Sequence, residues 1–127
     1  MTVLITGARG KLAQMVAAIL PDVVGLDTRP GPSDYPGPFH RVRRYNTRAV
    51  TEIFRELRPE IVLHLGVRAG GFQAAAKERY TQNVLGTRHI LEQARRYHVR
   101  RVVVMGTYHV YGAHQHNPTL IKEDAPL

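Results

Sequence analysis

The stretch that most constrains this chain is Val3 to Ala13, reading VLITGARGKLA. A short apolar run, Val3-Leu4-Ile5, ends in Thr6-Gly7. Arg9 and Gly10 follow, and then an apolar-periodic segment from Leu12 to Leu20. Strand, glycine turn and helix, in that order, make a phosphate cradle. Gly7 lets the backbone turn tightly, and Gly10 has no Cβ to block a phosphate. The free N–H groups opening the helix face that phosphate with the positive end of the helix dipole. Glycine pairs also occur in ordinary turns, so the remaining residues must supply the context.

Continuous apolar content predicts a buried strand over Val3–Thr6 and a helix over Lys11–Leu20, with Leu12, Val16, Ile19 and Leu20 on one side and Pro21 ending it. Val23–Leu26 reads as a second strand, closed by Asp27, which lies 20 residues beyond Gly7. A dinucleotide fold places its ribose-binding acid at that separation, so Asp27 is preferred as a ribose ligand over a solvated loop acid. Residues 28–38, with four prolines and two glycines, read as loop. Phe39–Tyr45 is a strand carrying Arg41, Arg43 and Arg44. Asn46 caps a helix over Thr47–Leu57, with Val50, Ile53, Phe54 and Leu57 on one face.

Ile61–Leu65 is a further buried strand ending in Gly66, and Arg68–Gln73 is a loop around Gly70-Gly71. A long helix over Ala74–Tyr97 has Tyr80, Val84, Thr87, Leu91 and Ala94 along one face, and Gly86 within it points to a close packing contact. Val102–Met105 is another buried strand, running into Gly106-Thr107, and the tail from His109 has no periodicity. Strands apolar on both faces alternating with helices predict a parallel α/β sheet with helices on both faces and right-handed crossovers. Ligands of such sheets bind beyond the carboxyl ends of the strands, where Gly7, Asp27, Gly66 and Thr107 all fall.

A length of 127 residues fits one dinucleotide-binding domain over 1–127. No apolar run approaches a membrane span, and the N-terminus enters a strand directly, which predicts no signal peptide and no membrane partner. The absence of cysteine excludes thiolate metal sites and fits a cytoplasmic protein. Of 18 basic residues 15 are arginine, spread through every segment, so the net charge of +8 reads as a coding habit rather than a nucleic-acid interface. His64 reads as a core histidine. His109, His114 and His116 lack a carboxylate or cysteine triad, and no metal is expected.

Several strings match one family in order. TGARGKLA resembles the Thr-Gly-x-x-Gly-x-x-Gly motif of the extended short-chain dehydrogenase/reductases, the NAD-dependent epimerase/dehydratase group, with Ala13 at the third glycine. RPEIVLHLG, NVLGTRHILEQA, VVVMGTYHVYG and KEDAPL resemble later segments of the same family. The resemblance implies an incomplete Rossmann-type sheet of about five strands, lacking the C-terminal strands and the substrate-binding part. It implies NAD as cofactor, with NADP left open because Arg29 could pair with a 2′-phosphate.

By the same resemblance Gly7, Arg9 and Gly10 form the turn around the pyrophosphate, with the backbone of Lys11 and Leu12 approaching it. Asp27 holds the ribose; Leu65, Gly66 and Val67 line the cofactor; Gln82 and Asn83 reach toward it from the long helix. Asn83 could equally tie that helix to the preceding loop. Thr107 falls on the catalytic Ser/Thr. Arg43, or Asn46 after a one-step gap, stands where the family has an aspartate near the adenine. The family's Tyr-x-x-x-Lys pair is expected beyond Leu127, so residues 1–127 alone should be inactive. The implied function is the NAD(P)-binding portion of an epimerase/dehydratase-type oxidoreductase acting on a nucleotide sugar or similar small molecule, with a homodimer through the long helix as a further implication. The other reading is a non-catalytic Rossmann module that binds a dinucleotide as a sensor or interaction domain.

Overall fold

Val3–Thr6 (β1) is apolar enough to be buried on both faces, and it takes the centre of a five-stranded parallel sheet. The computed structural model describes residues 1–68 and 75–127 of the chain. Lys11–Ala17 (α1) leads to Val23–Asp27 (β2), then Phe39–Arg41 (β3), Arg48–Leu57 (α2) and Ile61–His64 (β4). Ala76–Tyr80 (α3) continues through a π-turn at Thr81–Gly86 into Thr87–Arg96 (α4), followed by Arg101–Val104 (β5) and a short 3₁₀ turn at Tyr108–Tyr111.

The strand order is β3-β2-β1-β4-β5, every pair parallel. Strands are added outward on one side of β1 and then, from β4, on the other. The two sets of crossovers diverge at β1 and β4, leaving a crevice beyond their carboxyl ends. Thr6 pairs in register with His64 there, and with Leu26 on the other side.

Side chains alternate between two layers. Leu4, Val24, Leu26 and Val62 pack with Val50 and Phe54 of α2 and Ile90 and Ala94 of α4. Val3, Ile5 and Val23 face Ala13 and Ala17 of α1. Helices thus lie on both faces, as the apolar strands require.

Several elements differ from the sequence expectation. In α1 the inward residues are Ala13 and Ala17, while Leu12 and Ile19 are exposed at 50% and 80%. Small side chains let the helix lie close on the sheet, with Val16 and Leu20 packed at the margin of this layer while Leu12 and Ile19 turn outward, and it ends at Ala17 rather than Leu20. β3 covers only Phe39–Arg41 because Val42 and Tyr45 bend inward into the core. The residue before α2 is Thr47 rather than Asn46, with no side-chain cap. β4 ends at His64 rather than Leu65.

The long helix is interrupted by the π-turn, which resets its phase. Ile90, Gln93 and Ala94 are buried, whereas Tyr80, Val84 and Leu91 are outward. β5 begins at Arg101 and is not buried: Val103 and Val104 are each 45% exposed, since among the described residues it pairs only with β4, at the sheet edge. The expected loop over Arg68–Gln73 and the start of the long helix at Ala74 lie largely outside the described residues. Among the described residues no helix is long and apolar enough to cross a membrane.

Candidate functional site

The glycine turn after β1 closes against the end of β4. Gly7 has φ +66°, a left-handed conformation that glycine alone adopts without strain, and a Cβ on it would stand 2.6 Å from the Gly66 backbone. A Cβ on Gly66 would in turn stand 2.5 Å from the Tyr45 hydroxyl oxygen. Both positions must therefore be glycine for the two loops to meet. Tyr45, 1% exposed, accepts a hydrogen bond from the Gly7 N–H at 3.0 Å. Its ring lies edge-on to His64, and a Cβ on Gly86 of the π-turn would stand 3.1 Å from Tyr45 Cβ, so the helix packs closely there. The close contact expected of Gly86 is this one.

His64 is a core histidine with both ring nitrogens engaged. Thr6 Oγ1 lies 2.6 Å from Nδ1, and Thr87 Oγ1 lies 2.8 Å from Nε2. The Gly66 N–H donates to Thr6 Oγ1 at 3.3 Å. A neutral imidazole with its proton on Nε2 completes this chain from Gly66 to Thr87. Burial disfavours the charged ring and pushes its pKa down to about 4. The network thus pins β1, β4 and the long helix under the crevice floor.

Asp27 closes the other wall. Its carboxylate is 2% exposed and accepts the Arg9 and Arg29 backbone N–H groups, each at 2.9 Å. The Arg29 guanidinium adds bonds of 3.2 and 3.3 Å. Burial alone would raise its pKa, but the side-chain and backbone hydrogen bonds of Arg29 and the Arg9 amide outweigh it and hold the carboxyl below its usual value.

A cleft of about 420 Å³ opens between these walls. Gly7, Gly10, Asp27, Leu65, Gly66, Val67 and Gln82 are among its lining residues. The fold brings together these seven of the residues assigned to the cofactor in the sequence, with Arg29 beside them. Gln82 donates to the Gly66 carbonyl at 3.2 Å, bracing the floor. Asn83 is turned onto the Arg68 backbone, accepting its N–H at 2.8 Å and donating to its C=O at 3.0 Å, the loop-tying arrangement. A π-turn at these two positions lets consecutive residues serve the same loop, a use such turns often have at functional sites.

The remaining residues stand outside the cleft lining. Arg9 contributes its amide to Asp27, while its guanidinium caps the Pro30 carbonyl. Lys11 and Leu12 open α1 without lining the cleft. Thr107 follows β5, exposed, with its hydroxyl 3.0 Å from His109 Nδ1 and accepting the His109 N–H. Arg43 lines an adjoining cavity of about 590 Å³ with Arg44, Arg68 and Lys77; Asn46 does not. Among the described residues no group of three histidines or acids is placed to hold a metal ion.

Sequence reasoning missed Tyr45, which organises the site. Its signal was a single aromatic three residues after Val42 within an otherwise polar RVRRYN stretch.

The chain is matched by a family model, that of the NAD dependent epimerase/dehydratase family, over residues 3–127. The chain belongs to this family. Among solved structures, a short-chain dehydrogenase/reductase superfamily protein of Agrobacterium tumefaciens with bound NAD is 29% identical, with a TM-score of 0.80, over 100% of this chain and 39% of that one. MoeE5 in complex with UDP-glucuronic acid and NAD is 28% identical, with a TM-score of 0.74, over 93% of this chain and 40% of its own. UDP-glucose 4-epimerase of Bifidobacterium longum, in complex with NAD+ and UDP, shares the fold at 22% identity and a TM-score of 0.76, over 99% of this chain and 42% of its own. The chain therefore spans about two fifths of the length of these family structures. No curated protein matches it.

Proposed function

We propose that the chain binds NAD and forms the dinucleotide-binding part of an oxidoreductase that acts on a hydroxy or keto group of a nucleotide sugar or a similar small molecule. One observation carries the reading: Gly7 and Gly66 face each other at the β1/β4 crevice with no room for a Cβ, while Asp27 closes the opposite wall. Backbone held this bare lets a pyrophosphate approach, and a buried carboxylate suits a ribose diol. The NAD-bound Agrobacterium tumefaciens structure supports the cofactor. The UDP-glucuronic acid complex of MoeE5 supports the substrate class.

In this reading Gly7 and Gly10 admit the pyrophosphate, Leu65 and Val67 flank the cofactor, and Gln82 braces the Gly66 carbonyl. Arg9 and Asn83 act indirectly, through the Asp27 carboxylate and the Arg68 backbone. A bound nicotinamide supplies the hydride acceptor or donor. Thr107 orients the substrate oxygen with its hydroxyl. A threonine hydroxyl does not titrate near neutral pH, so proton transfer needs a further group. No tyrosine within residues 1–127 has a lysine four residues after it.

Calorimetric titration of the chain with NAD tests the binding reading. Saturable uptake supports it, and no heat at millimolar NAD overturns it. Turnover of UDP-sugars by the natural gene product that contains this chain tests the substrate class.

A further inference from the structure

Every acceptor direction of Asp27 is already taken. A carboxylate offers about four lone-pair sites. Oδ1 accepts the Arg29 backbone N–H at 2.9 Å and Arg29 Nε at 3.2 Å. Oδ2 accepts the Arg9 backbone N–H at 2.9 Å and an Arg29 terminal nitrogen at 3.3 Å. A ribose diol arriving at this carboxylate would find no free acceptor.

We propose that the Arg29 side chain is a displaceable occupant of the ribose subsite, leaving Asp27 when a ribose diol binds and so setting how the cleft ranks NAD against NADP. The inference rests on the NAD-binding reading. The four bonds are of two kinds. The amides of Arg9 and Arg29 belong to the backbone of the glycine turn and of the residues just past β2, and cannot leave without undoing them. The guanidinium bonds are the longer pair, and the Arg29 side chain is 60% exposed against 3% for that of Asp27. One rotamer change returns the guanidinium to water, where an arginine loses little. The diol's two O–H groups then take its place with charge-assisted bonds to a buried carboxylate.

A 2′-phosphate reverses the balance. It brings no donor at that oxygen, and it is repelled by a bare carboxylate. Arg29 left on Asp27 neutralises the carboxylate and faces the phosphate with its remaining N–H groups. Beyond Thr28, which lines both cavities, stand Arg43, Arg44 and Lys77, with Arg68 paired to Glu78. The same side chain thus opposes NAD and favours NADP.

The test is calorimetric titration of the whole chain and its Arg29→Ala variant with NAD and with NADP, with Arg29→Gln as a second variant that keeps much of the side-chain bulk. Removing the guanidinium should tighten NAD about threefold to tenfold and weaken NADP by at least as much. NAD binding that is unchanged or weaker in both variants overturns the proposal while leaving NAD binding itself intact. Failure of the unaltered chain and both variants to take up NAD overturns the underlying reading and this inference with it. A second readout is the Arg29 Nε–H resonance, which should move to a free-guanidinium position at NAD saturation. A resonance that stays fixed while NAD saturates the cleft contradicts displacement.

Discussion

The hydroxyl oxygen of Tyr45 accepts the N–H of Gly7, 38 residues earlier in the chain, inside the core beneath the cleft. The turn that would carry a pyrophosphate is therefore held from below by a residue outside the glycine motif. Tyr45→Phe leaves the Gly7 N–H buried without an acceptor, which should lower stability by about 1–3 kcal/mol. Tyr35 provides the contrast. Its hydroxyl is buried with no partner among the described residues, and Tyr35→Phe should be neutral or stabilising. Urea denaturation of the two variants checks the pair.

Gly66→Ala should disturb Tyr45 directly, because the new methyl would stand 2.5 Å from its hydroxyl oxygen. Tyr45 is fully buried and has nowhere to retreat, so overpacking should lower stability by about 1–3 kcal/mol. The displaced phenol would also release Gly7. Loss of NAD binding together with a lowered melting temperature is the expected outcome. A variant that binds NAD normally would show that the contact is not needed.

His64 makes stability sensitive to mild acid. Its pKa is about 4 in the fold against 6.5 when unfolded, so the unfolded chain binds more protons between those values. Its contribution is intact above pH 6.5, declines as pH falls from 6.5, and is fully lost below about pH 4. The whole effect amounts to about 3 kcal/mol. Urea melts at pH 7.5, 6 and 5 should show this decline, and His64→Gln should flatten it.

Much of this was legible in the sequence, for a physical reason. β1, β2 and β4 are apolar on both faces, and Gly7, Asp27 and Gly66 sit at their carboxyl ends, so strand pairing alone brings those residues together. What did not show was tertiary. Leu12 and Ile19 have the helical spacing of a buried face, yet the sheet takes Ala13 and Ala17 because they allow closer approach. The π-turn at Thr81–Gly86 shifts the long helix by a fraction of a turn, which an unbroken 3.6-residue period does not anticipate. The loop-tying role of Asn83 was one of two readings the sequence allowed, and the Arg68 backbone decides it; the role of Tyr45 was not legible, since its partner, the Gly7 amide, lies 38 residues away.

Asp27→Asn should act on both the turn and the ligand. The neutral amide is a weaker acceptor for the Arg9 amide and cannot receive both ribose hydroxyls as a carboxylate does. NAD affinity should fall by about 10- to 100-fold. Because the Asp27 pKa is lowered in the fold, its own stabilisation is complete above the unfolded carboxyl value and is lost as pH falls through the folded one, below the range in which His64 acts. Calorimetric titration at neutral pH separates the ligand effect from this linkage.

The most direct measurement is the ¹⁵N–¹H correlation spectrum of the chain as NAD is added. The amides of Gly7, Arg9, Gly10 and Gly66 should shift together and saturate with one dissociation constant, while those of the tail beyond Tyr111 stay in place. A spectrum unmoved by millimolar NAD, or shifts confined to residues away from the β1/β4 crevice, would contradict a dinucleotide site built on Gly7, Gly66 and Asp27.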